Sequence, residues 1–145
     1  MVAGGASLVV VMLAQNLGHF FVEYLPREAY GSLNGEVAQE MAHFLAERTR
    51  PAMVYFIGGE RMRFDSFPSL FYLFPAAQGQ DLPAPYLLPA SREAGSAEPI
   101  FIVLPEEVQA LQAIEGRYGR GQTLQRYNRW GQLLFTAFIP EAAGP

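Results

Sequence analysis

The chain has 145 residues, of which 50% are hydrophobic and 17% charged; its formal net charge is −4, all 10 basic residues are arginine, and cysteine is absent. That length suits one domain able to bury roughly 70% of its unfolded surface. The composition argues against disorder, the acidic balance against nucleic acid as a partner, and the lack of cysteine removes disulfides, thiol nucleophiles and zinc–thiolate sites.

The chain opens on "LVVVMLAQNLGHFFVEYLP", Leu8 to Pro26, which begins like a membrane span and turns amphipathic at Gln15, Asn16 and His19. The apolar run from Leu8 to Ala14 is shorter than the roughly 20 residues that a span needs. A signal peptide would want a basic leader and a small-residue cleavage site, whereas the first arginine is Arg27. Two readings stand: a buried first helix, or the outer end of a longer membrane helix whose remainder precedes residue 1. In either, Val9, Leu13, Leu17 and Phe20 form a helical stripe that continues into Phe21, Val22 and Tyr24.

Asn34 is placed to cap an amphipathic helix in which Val37, Met41, Phe44 and Leu45 recur at helical spacing, ended by Pro51. "AMVYFIGG" then reads as a buried strand closed by glycines. A second helix is expected within "SFPSLFYLFP", with Ser66 as cap and Pro68 in the first turn. Pro75 to Pro99 reads as a long loop with a short extended piece at Tyr86–Leu88.

"IFIVLPEEVQALQAIEGRYGRG" reads as a strand from Ile100 to Leu104 and a helix opening at Pro105, with Glu106 and Glu107 at its positive end and Val108, Leu111 and Ile114 as its apolar stripe. A hairpin follows, pairing Thr123–Tyr127 with Leu133–Ile139 across a turn at Asn128–Gly131. The order implies an α/β fold: one domain with a mixed sheet, its first two strands parallel, helices packed on it and a C-terminal β-hairpin. The expected boundaries are residues 1–26 for the end of a membrane helix and a juxtamembrane helix, 27–140 for the α/β domain, and 141–145 for a flexible tail.

Candidate chemistry is sparse. His19 and His43 lack metal-ligand spacing, Ser66 and Ser69 are not in a nucleophile elbow, and Glu106 and Glu107 are adjacent and so diverge; Glu36, Glu40 and Glu47 lie on a polar helix face. "GRYGRG", Gly116 to Gly121, follows a helix rather than opening one, which suits a C-cap better than a phosphate cradle. No catalytic residue, metal site or cofactor is assigned. The remaining candidate is "GGERMRFDSF", Gly58 to Phe67, which follows the carboxyl end of a strand, where open α/β sheets bind ligands. There Arg61 and Arg63 are cations for a phosphate or carboxylate, and Asp65 is a partner for a hydroxyl. The competing reading is a solvated loop in which Asp65 pairs with one of those arginines and helps to cap the next helix.

The segments "NLGHFFVEY", "YGSLNGEVAQEMAHFLAER", "AMVYFIGG", "IFIVLPEEVQALQAIEGRYGRG" and "GQLLFTAF", in that order, resemble the C-terminal tail domain of bacterial membrane glycosyltransferases related to dolichyl-phosphate-mannose protein mannosyltransferases, glycosyltransferase family 39. The likeness runs over residues 8–139 and departs at Tyr118–Gly121, where such tails often carry a Pro-Gly-Gly turn. The resemblance implies an enzyme that moves sugar from a polyprenyl-phosphate carrier to an acceptor at the outer membrane face, with its catalytic acid upstream of this region. It also implies that Leu8 to Pro26 is the outer end of a last membrane helix, that the partners are the membrane or upstream transmembrane helices and a lipid-linked sugar or acceptor, and that the domain is extracytoplasmic. Without the resemblance, the same residues fit a free-standing α/β module that binds a small anionic ligand.

Overall fold

The computed structural model describes residues 3–24, 32–49, 51–89 and 97–141. It falls into two units, Met1–Ser32 and Leu33–Pro145.

In the first unit, helix α1 (Ala3–Gly18) runs on as a π-helical stretch, His19–Tyr24. The sequence pattern predicts a stripe, but Val9, Val11, Met12, Leu13, Leu17, Phe21 and Val22 are all more than half exposed. Successive residues turn by about 100°, so Val9, Leu13 and Leu17 share one side of the helix while Val11 and Met12 lie on the other, beside the exposed Gln15 and Asn16. The side chains of Leu8 and Phe20 and the boundary near residue 26 lie outside the described residues, as does the tail after Glu141. No helix among the described residues is long and apolar enough to cross a membrane.

The second unit is built on a five-stranded mixed sheet of order β2-β1-β3-β5-β4, with β1 at Ala52–Ile57, β2 at Gly79–Asp81, β3 at Glu98–Val103, β4 at Gly121–Tyr127 and β5 at Leu133–Pro140. β1 pairs in parallel with both β2 and β3, whereas β5 is antiparallel to β3 and β4. The expected α/β class, the parallel first pair and the terminal hairpin are therefore present. β3 explains why its sequence is continuously apolar: Ile100 and Ile102 join the core on one face, and Phe101 and Val103 join that on the other. A strand covered on both faces has no side for polar residues.

Helix α2 (Leu33–Ala46) covers the first face with Val37, Ala38, Met41, Ala42, Phe44 and Leu45, joined by Leu70 of α3 (Pro68–Leu73). Helix α4 (Ala110–Tyr118) covers the second with Ala110 and Ile114. Phe44 anchors the first core, edge-on to Phe135 with centroids 5.9 Å apart. Burying a side chain of that size contributes about 1.5–3 kcal/mol.

Five local expectations are corrected. Asn34 lies inside the first turn of α2, where its side chain is bound to a distant loop. At α3 the N-cap position is Phe67, without a side-chain cap; Ser66 Oγ instead accepts from the Arg63 amide at 2.9 Å and closes the preceding turn. The proline-rich loop contains β2 at Gly79–Asp81, whereas Tyr86 lies in a turn. Pro105–Glu107 is a separate 3₁₀ turn, so Glu106 and Glu107 do not sit on the first turn of α4, and Val108 is 55% exposed. The hairpin connection runs through Gln132, with Asn128 Oδ1 accepting from the amides of Trp130 at 3.0 Å and Gln132 at 2.9 Å.

Candidate functional site

The chain leaves β1 through α3, on the α2 side of the sheet, to form β2 at the edge. It then returns to β3 through a segment whose Leu82, Tyr86 and Leu88 pack on the opposite face. The sheet therefore has a topological switch point at the carboxyl ends of β1 and β3, the usual ligand crevice of such folds. Here the chain fills that crevice itself. Gly59 adopts φ +58° and faces the Glu107 carboxylate so closely that a Cβ would overlap it. The other Glu107 oxygen, Oε2, accepts a hydrogen bond from the Tyr86 hydroxyl.

Arg61 completes this closure. Its Nε donates to Asn34 Oδ1 at 2.7 Å, its Nη1 meets Glu106 Oε1 at 2.6 Å, and its carbonyl accepts from Asn34 Nδ2 at 3.1 Å. Arg61 thus ties α2, the loop after β1 and the turn after β3 together. It is a structural clamp, not the free cation that the sequence suggests. The neighbouring carboxylates diverge as expected, Glu106 to Arg61 and Glu107 to Tyr86.

The worth of the clamp lies in the Asn34 contact more than in the ion pair, because Glu106 is 54% exposed and Arg61 only 21%. Arg61→Met is expected to cost about 1.5 kcal/mol by stranding Asn34, and Glu106→Gln less than about 0.5 kcal/mol. Urea unfolding of the two variants gives the comparison; equal losses would place the energy in the ion pair instead.

Tyr86 has its pKa raised, first by the hydrogen bond to Glu107 and then by burial. The folded state therefore holds this proton more tightly than the unfolded chain, whose phenol has the ordinary value of 10.0. The stabilisation is fully present below that value and is lost as pH rises through the higher folded value. Tyr86→Phe is expected to cost about 1 kcal/mol at neutral pH, and the gap to the parent chain should close in alkali. Denaturation at a series of pH values tests the sign; a gap that widened above pH 10 would reverse it.

On the other side of β1 lies an open cleft of about 320 Å³, lined by Phe56, Gly58, Gly59, Met62, Arg63, Asp81, Leu82 and Pro83. The Phe64 amide donates to Asp81 Oδ1 at 2.8 Å, and the Leu82 amide to the Phe56 carbonyl at 2.8 Å, which fixes the two walls to each other. The Phe64 ring lies over Gly79, where a Cβ would meet it at 2.6 Å. Arg63 is exposed at the cleft, and among the described residues its side chain enters none of the hydrogen bonds or ion pairs formed by the other loop groups. Asp65 is exposed and does not pair with either arginine.

Of the three residues singled out by sequence, the structure places only Arg63 on the cleft. The carboxylate that lines the cleft is Asp81, not Asp65. The sequence carries no signal for this placement, because "GQDLP" sits in a proline-rich stretch too short and too polar to announce a strand. Among the described residues, no group of 3 or more His, Asp or Glu side chains could hold a metal ion.

No family model, curated protein or solved structure matches this chain. The reading of its function therefore rests on its own geometry and on the segment resemblance.

Proposed function

We propose that this chain is a non-catalytic extracytoplasmic α/β domain of a membrane glycosyltransferase that uses a polyprenyl-phosphate sugar, and that it helps to position donor or acceptor. The observation that carries this reading is α1, which leaves Val9, Val11, Met12, Leu13 and Leu17 all more than half exposed. So many large apolar side chains left uncovered on one helix mark a surface that a larger protein or a membrane covers. α1 would then be the outer end of a longer span, packed by lipid or by upstream helices of the same polypeptide. The open cleft at the carboxyl ends of β1 and β2 supports the positioning role, since it offers a cation where α/β sheets meet ligands.

The test has two parts. The reading frame upstream of Met1 should encode a multi-spanning membrane region, and a frame that starts at this Met without one would end the proposal. In the natural polypeptide, removal of residues 33–141 should lower sugar transfer from a polyprenyl-phosphate donor while leaving membrane insertion intact. The isolated chain should bind detergent through α1, and a monodisperse monomer that binds none would count against a membrane-packed helix.

The cleft alone also fits a free-standing module for a small anionic ligand. That reading takes over if no membrane region precedes the domain.

A further inference from the structure

We propose that the cleft between the carboxyl ends of β1 and β2 binds a sugar phosphodiester carrying one negative charge, with Arg63 holding the phosphate and Asp81 a sugar hydroxyl. The choice of a sugar rests on the glycosyltransferase reading above; the charge and size follow from the cleft itself.

The volume of about 320 Å³ is at the lower end for small-molecule sites and suits a single sugar ring with its phosphate. Pro83 offers exposed apolar surface to the carbon face of a sugar, with Phe56, Met62 and Leu82 buried beneath it as the floor of the cleft. Two polar groups orient the ligand. Arg63 supplies a planar guanidinium whose donors are unspent among the described residues, the geometry that matches phosphate oxygens. Asp81 spends Oδ1 on the Phe64 amide, which fixes the carboxylate and leaves Oδ2 to accept from a hydroxyl.

The charge preference comes from the balance of the two. Arg61 is already matched by Glu106, so it adds no net field. Arg63 and Asp81 sum to about zero, while Glu60 and Asp65 on the same loop are exposed carboxylates. A dianionic phosphomonoester would meet one cation and several carboxylates. A phosphodiester brings one charge, which Arg63 answers, and its sugar hydroxyls give Asp81 a partner. Polyprenyl-phosphate sugars are phosphodiesters of this kind, and so are water-soluble glycosyl alkyl phosphates.

The experiment is a titration of the 145-residue chain, followed by amide NMR, with glucosyl methyl phosphate, glucosyl phosphate, inorganic phosphate and methyl glucoside. The diester should bind most tightly and move the amides of Gly58, Met62 and Leu82. Arg63→Gln should weaken it about tenfold, the loss of one charged hydrogen-bonding partner. Asp81→Asn keeps an acceptor for the Phe64 amide, so the fold is retained; it should weaken the diester about threefold and narrow its advantage over the dianion. Both side chains are exposed, and an unchanged amide spectrum elsewhere confirms folding.

A parallel titration with a short-chain polyprenyl phosphoglucose in micelles separates the two sources. Tighter binding that depends on Arg63 names the lipid carrier, and equal binding names a soluble or polymeric phosphodiester. Failure of the diester to bind, preference for the dianion, or indifference to Arg63→Gln overturns the proposal. If the diester binds but no membrane region precedes the domain, the cleft stands and the enzyme reading falls; no binding in a polypeptide that transfers sugar does the reverse.

Discussion

Replacing Phe101 with alanine is expected to lower the stability of the α/β unit by about 3–5 kcal/mol, the largest loss among the substitutions considered. β3 is the inner strand that joins the parallel and antiparallel halves of the sheet, and Phe101 is completely buried on its α4 side. Its ring stacks on Tyr55 with centroids 5.1 Å apart and meets Tyr118 at 4.9 Å. Removing the ring leaves a cavity that cannot collapse easily, because backbone ladders run on both sides. The loss should extend to Tyr118, whose hydroxyl donates to the Pro89 carbonyl at 2.8 Å and whose pKa is raised, chiefly by burial. Urea unfolding measures the stability, and alkaline titration of tyrosine absorbance should show Tyr118 ionising earlier in the variant. A loss below about 1.5 kcal/mol would mean that the helix layer repacks into the gap.

Gly58→Ala is expected to cost about 3 kcal/mol and to lower the melting temperature by roughly 10 °C. The reason is contact, not backbone angle. A Cβ here would overlap the Met62 carbonyl oxygen and lie 2.5 Å from the Phe56 ring. The first obstacle is main chain, held in the turn by the Arg61 amide donating to the Gly58 carbonyl at 3.2 Å, so relief requires the loop to move. Gly59→Ala should be milder in its clash, because the obstructing atom is the end of the Glu107 side chain, but it adds strain at a positive φ and dislodges Glu107 from Tyr86. Thermal unfolding of both variants separates the two causes: the Tyr86 titration should stay near its parent behaviour in Gly58→Ala and shift toward the ordinary tyrosine value in Gly59→Ala.

The sheet was legible in the sequence where burial leaves a strong pattern. "AMVYFI" and "IFIV" have apolar residues at every position because both faces are covered, and the hairpin announces itself by Asn128 and Gly131. β2 was not legible. Its Gly79, Gln80 and Asp81 form an edge strand through backbone bonds, and side-chain hydrophobicity carries no trace of that. Ser66 and Asn34 are good capping residue types in the right neighbourhood, but their side chains serve long-range or turn contacts that outcompete the cap. The site was half readable for a similar reason. Two arginines after a strand suggest a place for an anion, yet which of them is free depends on Asn34 and Glu106, residues 27 and 45 positions away from Arg61. No local pattern contains that information.

The two ends of the sheet differ in a way that bears on solubility at high concentration. β2 stops after 3 residues and is followed by Pro83, so a strand from another molecule finds almost no ladder to extend there. β4 at the opposite edge is 7 residues long and would be the template for chain-to-chain pairing. Its protection is chemical: Gln122, Thr123, Gln125 and Arg126 line it, and Arg126 is held near Glu40 at 3.8 Å and Glu47 at 3.1 Å. Neutralising Arg126 together with a Gln122→Val change would strip that border of its charge and make it more apolar, leaving only the irregularity at Arg126/Tyr127 to blunt it, and the unit would gain a route to stacked assemblies without losing any part of its cleft.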